Sequence, residues 1–197
     1  MSIVRAPTRR AVVAGMIGTG AALAMPARAA PGPPQFGTIR HQFTLVQGAY
    51  PVPPVTIPAL AGGAIDLNAF KGRLVLVNFW ATWCAACRTE LPMLDRLAAG
   101  GRSDLAVIAV STDRNRALVP SYVKQLKLRH LTVGFDPSGL VSRVDAAEVE
   151  TPFALYGMPI SFLIGITGTV EGYLTGEADW LSADASALFD YYARGRR

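Results

Sequence analysis

The sequence predicts a three-layer α/β domain, a mixed central sheet flanked by helices. Three observations predict it. Two almost unbroken apolar runs, Leu74-Val75-Leu76-Val77-Asn78-Phe79 and Leu105-Ala106-Val107-Ile108-Ala109-Val110, suit strands covered on both faces. A helical pattern follows each run. The chain then closes with a strand hairpin and a last helix. Strand, helix, strand, helix, hairpin, helix is an order that builds one sheet with both parallel and antiparallel pairs.

Residues 1–29 read as a targeting segment. Arg9-Arg10 follow Thr8 and precede Ala11-Val12-Val13, and an apolar stretch runs to about Met25. The pattern is that of a twin-arginine signal, with Ala27-Arg28-Ala29 as the cleavage region. An ordinary secretory signal is the alternative. The stretch is shorter than the about 20 residues a bilayer span needs, although an uncut anchor stays open. Residues 30–53 are rich in Pro and Gly and read as a linker or docked arm, in which Phe36, Phe43, Leu45 and Val46 suit an edge strand.

The domain proper is expected over residues 54–197. Val55-Thr56-Ile57 reads as a short strand and Gly62-Gly63 as a turn. A helix is expected from about Cys84 to Ala99, with Cys87, Leu91, Leu94 and Ala98 on one stripe and Gly100-Gly101 as its stop. A second helix is expected from Asn115 to Lys127, with Leu118, Tyr122, Val123 and Leu126 facing inward. Leu131–Phe135 reads as a strand, Asp136-Pro137-Ser138-Gly139 as a turn, and Leu140–Val149 as a further helix. Ile160–Ile164 and Val170–Leu174 form a hairpin through Thr167-Gly168-Thr169. Ser182 caps a final helix to about Arg194, with Leu188 and Phe189 inward.

Composition narrows the function. The chain has 197 residues, 51% of them hydrophobic, enough for one domain with a real core. Its net charge of +5 is concentrated at one end. Four of the 19 basic residues precede residue 30, where no acid occurs, which leaves 15 against 14 acids elsewhere. No basic face for nucleic acid is implied.

The only two cysteines, Cys84 and Cys87, are three apart where a strand gives way to a helix. A loop this short stabilises weakly, so the pair suits exchange better than bracing. Exchange needs a thiolate. Cys84 falls where free helix N–H groups and the helix dipole favour negative charge. Cys87 lies one turn later, more deeply packed. Cys84 is thus expected to attack a substrate disulfide and Cys87 to resolve the mixed disulfide.

These residues resemble the thioredoxin superfamily, and within it the exported TlpA/ResA-like reductases. The resemblance spans roughly Val55 to Arg194. It rests on Leu76-Val77-Asn78-Phe79-Trp80-Ala81-Thr82-Trp83-Cys84, on Cys87-Arg88-x-Glu90-x-Pro92, on Gly157-Met158-Pro159 and on Gly176-Glu177-Ala178-Asp179-Trp180. It implies a thioredoxin-like fold and a cis proline, Pro159, facing the dithiol. Met158 then presents backbone groups to an extended substrate, and Trp83 is a wall of the site. Pro92 matches the proline that kinks the active-site helix, and Glu90 the acid that exchanges a proton with Cys87. Asn78 stands where ordinary thioredoxins carry a buried aspartate. Ala85-Ala86 departs from the commoner proline-containing pairs.

The catalytic set expected is therefore Cys84, Cys87 and Glu90, with Trp83, Met158 and Pro159 binding substrate. No metal is expected, and the only redox group is the Cys84–Cys87 disulfide itself. The resemblance implies a periplasmic protein-disulfide reductase acting on exported proteins such as apocytochrome c or copper-site proteins. It also implies recharging by a membrane thiol reductant of the DsbD/CcdA kind. Two other readings remain open: a Cu(I) chaperone using the two thiolates, and a redox-inert fold with a structural disulfide.

Overall fold

The computed structural model describes residues 32–48, 50–143 and 152–195. The targeting segment lies outside them. The six-stranded sheet runs β1-β10-β9-β4-β5-β6. Its strands are β1 (Thr44–Leu45), β4 (Leu74–Trp80), β5 (Leu105–Ser111), β6 (Thr132–Phe135), β9 (Ile160–Ile164) and β10 (Val170–Thr175). β4 pairs parallel with β5 and antiparallel with β9, so the sheet is mixed. β4 and β5 are buried at every position, as their apolar runs require.

Successive β4 side chains point to opposite faces. Leu74, Leu76 and Trp80 join a core with Leu91 and Leu94 of α1 (Ala85–Ala99), Val119 of α2 (Leu118–Gln125) and Leu188 and Phe189 of α3 (Ala183–Ala193). Val75, Val77 and Phe79 join a second core beneath the β2 (Thr56–Pro58) and β3 (Ala64–Asp66) hairpin. That core is completed by Val141, Phe153 and Leu155. The three described α-helices therefore share one face. For α1 and α2 the reason is handedness: β4, β5 and β6 advance in one direction, and right-handed crossovers put both connecting helices on the same side.

The other expectations fare unevenly. The 30–53 segment does supply an edge strand, Thr44 lying opposite Tyr173. Ser182 caps α3 as expected, its hydroxyl accepting from the Ala185 N–H at 3.1 Å.

The second helix is shorter than expected. Residues 115–117 form a turn closed by the Asn115 side chain on the Ala117 N–H. Leu118 is not inward but 49% exposed. The buried stripe starts instead at Val119 and continues through Tyr122, Val123 and Leu126, an i, i+3, i+4, i+7 set.

The helix expected from Leu140 does not start there. Ser142–Arg143 (β7) pairs parallel with Phe153–Ala154 (β8). The Asp136 carboxylate takes the backbone N–H groups of Leu140, Val141 and Ser142, which holds this stretch as a loop. The remainder of that expected helix lies outside the described residues.

The hairpin on the second core approaches the sheet over a glycine. A Cβ on Gly134 would lie 2.7 Å from Ile57 Cγ2 and 3.3 Å from Ile65 Cδ1. Gly134→Ala is expected to destabilise by about 1–3 kcal/mol through overpacking. Urea unfolding should show a lower midpoint with an unchanged slope.

Candidate active site

The site is built where β4 ends. The apolar run of β4 stops at Trp80, the chain turns through Ala81-Thr82-Trp83, and Cys84 becomes the N-cap of α1. The turn is pinned to the end of β5. Asp113 accepts from the Thr82 N–H at 3.0 Å, the Thr82 hydroxyl at 2.7 Å and the Ser111 hydroxyl at 2.8 Å. A buried carboxylate with three donors is well satisfied, and it fixes the residues that present Cys84.

Cys84 and Cys87 are joined in a disulfide, with their Cα atoms 5.3 Å apart. Cys84 Sγ accepts from the Cys87 backbone N–H at 3.1 Å. This is the capping bond that Ser or Asp makes elsewhere, made here by sulfur. Cys84 retains 7% exposure and Cys87 only 1%. The order of access is that of an attacking and a resolving sulfur. Trp83 beside them is 70% exposed.

Glu90 lies one turn beyond Cys87 on the same buried side of α1. Among exposed charged helix residues it would be unremarkable, but it is 1% exposed. Its Oε2 accepts from Asn78 Nδ2 at 2.9 Å, and its Oε1 from Trp180 Nε1 at 2.9 Å and the Ala178 N–H at 3.3 Å. Asn78 also donates to the Ser161 hydroxyl of β9 at 2.9 Å. Burial pushes the Glu90 carboxyl up to about 7, against the lowering effect of these donors. Glu90 can therefore hold or release a proton near neutral pH.

Met158 and Pro159, joined by a cis peptide bond, enter β9 at its N-terminal end. Pro159 C=O accepts from the Gly176 N–H at 2.7 Å. Met158 packs on the core that contains both cysteines. Ala86, Met158 and Pro159 line one cavity of about 590 Å³ together with Glu177 and Asp179. Trp83 and Met158 line a second, of about 640 Å³. Met158 and Pro159 thus share a cavity with Ala86, the residue next to Cys87, and Met158 shares the other with Trp83, the residue next to Cys84.

Against known proteins, residues 49–172 match the AhpC/TSA family. ResA of Bacillus thuringiensis, a thiol-disulfide oxidoreductase, is 31% identical over 146 residues, which is 68% of this chain and 79% of ResA. The chain belongs to the AhpC/TSA family, among the ResA-like thiol-disulfide oxidoreductases. CycY of Rhizobium leguminosarum, a thiol:disulfide interchange protein, is 35% identical over 115 residues, 58% of this chain. The match spans about half of CycY, 54% of its length. Among solved structures, a Chlorobium tepidum chain described as a DsbE thiol:disulfide interchange protein superposes with a TM-score of 0.61 and 25% identity. That match covers 75% of this chain and 99% of the other. The fold of these ResA-like proteins is thioredoxin-like.

Sequence reasoning missed four residues in and around this ResA-like site. Trp180 was visible only as part of a loop pattern, yet its indole holds Glu90. Ser161 and Asp113 sit in or after apolar strands, where one polar residue signals an inward hydrogen bond without saying to what. Phe36 lies in the arm and packs on Trp180 with ring centroids 4.8 Å apart.

Proposed function

We propose that this chain is an exported protein-disulfide reductase of the periplasm, acting through Cys84 and Cys87. The observation that carries this reading is Cys84 at the helix N-cap, its sulfur receiving the Cys87 N–H, with Cys87 closed off behind it. A helix N-terminus stabilises a thiolate, so Cys84 is the nucleophile.

The cycle starts from the reduced dithiol. Cys84 thiolate attacks one sulfur of a substrate disulfide, the substrate S–S bond breaks, and its second sulfur leaves as thiolate and takes a proton. Cys87 then gives its proton to the Glu90 carboxylate and attacks Cys84 Sγ. The substrate departs with both cysteines reduced, and Cys84–Cys87 is the disulfide. Two electrons from a membrane thiol reductant of the DsbD/CcdA kind, with two protons, restore the dithiol. Met158 and Pro159 seat the extended segment that carries the substrate cysteine, with Trp83 covering one side.

Apocytochrome c or copper-site proteins are the proposed substrates, in keeping with the interchange proteins this chain resembles. Export by the twin-arginine signal of residues 1–29 would place the dithiol where such substrates fold. Among the described residues, no helix is long and apolar enough to cross a membrane.

An insulin reduction assay with dithiothreitol as electron source tests the activity. Wild type is expected to speed insulin precipitation, and a Cys84→Ser, Cys87→Ser double variant to leave it at the background rate. Stoichiometric Cu(I) retention by the reduced protein without insulin reduction would favour the chaperone reading instead.

A further inference from the structure

The arm before residue 49 lies outside the family match, yet it reaches the redox site. Its Phe36 is buried, anchored by the Phe43 N–H on the Phe36 carbonyl at 2.8 Å. The same turn is closed by Thr38, whose hydroxyl accepts from the His41 N–H at 3.0 Å. The Phe36 ring packs against the Trp180 indole, centroids 4.8 Å apart and planes tilted by 46°, and Phe189 stacks on the same indole at 6.0 Å. Trp180 in turn donates to Glu90 Oε1 at 2.9 Å. Two aromatic rings and one hydrogen bond thus lead from the arm to the carboxylate behind Cys87.

We propose that Phe36 is a positioning residue of the redox site: it fixes Trp180 against Glu90 and keeps water from that carboxylate. The inference rests on Glu90 being the proton partner of Cys87. Phe36 touches no reacting atom and acts only through Trp180.

Few ionisable groups face Glu90. Cys87 stands one turn earlier on α1, but in the oxidised chain it is held in the disulfide and does not ionise. The loop after β10 brings Glu177, whose negative charge opposes ionisation of Glu90. β4 and β9 present only the neutral Asn78 and Ser161. The arm presents Phe36 itself. Arg40 and His41 stand farther out, in the cavity that Glu177 and Asp179 also line. Burial is the largest influence on Glu90, so its titration reports how well Phe36 and Trp180 seal it.

Carbon-13 NMR of the side-chain carboxyls in the oxidised full chain reads this directly, the Glu90 signal being assigned by its loss in Glu90→Gln. Wild type should titrate near pH 7. Phe36→Ala should lower the midpoint by about one pH unit or more, because water then reaches the carboxylate. Phe36→Leu keeps an apolar cover and should fall between. Ile57→Ala empties a site in the core on the opposite face of the sheet and should lose stability without moving the midpoint. A Phe36→Ala midpoint equal to wild type overturns the proposal, as does an equal shift in Ile57→Ala. If Phe36→Ala does not fold, Phe36→Leu decides: a lowered midpoint supports the role and an unchanged one overturns it. Failure of the wild type to reduce insulin would remove the proposed function, while the titration would still decide the role of Phe36.

Discussion

Glu90→Gln should stabilise the oxidised protein at pH 8 by up to about 3 kcal/mol while slowing its turnover. The stability effect follows from burial. The Glu90 carboxyl is raised from 4.5 to about 7 in the folded chain, chiefly by desolvation. Between those values the folded state binds more protons than the unfolded state. Stability therefore falls as pH rises from about 4.5 to about 7, and the loss is complete above that. Glutamine carries no charge and escapes it. A turned Asn78 amide can accept from the new N–H on Oδ1, but its Nδ2 then gives up the Glu90 and Ser161 acceptors, so about 3 kcal/mol is the upper bound of the gain. Urea unfolding at pH 5 and pH 8 should show wild type weakening and the variant nearly flat. Turnover at pH 8 should drop by about 10²-fold, the scale of losing a positioned base. A wild type equally stable at both pH values would contradict the assigned burial of charge.

The sheet was legible because its strands announce themselves. Leu74–Phe79 and Leu105–Val110 are too apolar to be half-exposed, and only central strands bury both faces. The closing helix was legible from Ser182, a cap followed by inward Leu188 and Phe189. The region after β6 was not. Asp136 sits in a plain turn motif, but its carboxylate captures three amides of the residues that follow, and no periodicity records that. The start of α2 was missed for a similar reason, although Tyr122, Val123 and Leu126 do face inward as expected. Asn115 closes a local turn, which delays the helix and hands the inner face to Val119.

The site divides along the same line. The cysteines, Glu90 and Pro159 carry local spacing that can be read off the chain. The partners of Glu90 do not: Asn78 comes from β4, and Ala178 and Trp180 come from the loop before α3. Long-range packing brings them together, and single-chain patterning has no term for it. The hydrogen-bonded burial of Asn78 is the exception, since a lone amide within an apolar strand must find a buried partner.

The second large effect concerns the two sulfurs. Cys84→Ser should lower disulfide reduction by on the order of 10³-fold or more, because a serine hydroxyl at this place is not ionised at neutral pH. Cys87→Ser should also stop turnover, but at a later point. Attack still occurs, the mixed disulfide forms, and no second sulfur releases it. The difference arises from geometry: Cys84 keeps its accessible edge and its N–H donor, whereas Cys87 is sealed behind it.

The most direct test is to incubate reduced Cys87→Ser and Cys84→Ser proteins with a disulfide-bonded protein substrate and map the covalent complexes by non-reducing mass spectrometry. Complexes joined through Cys84 in Cys87→Ser, and essentially none in Cys84→Ser, are predicted. Equal trapping by the two variants, or trapping through Cys87 alone, would contradict the assignment of attacking and resolving sulfur.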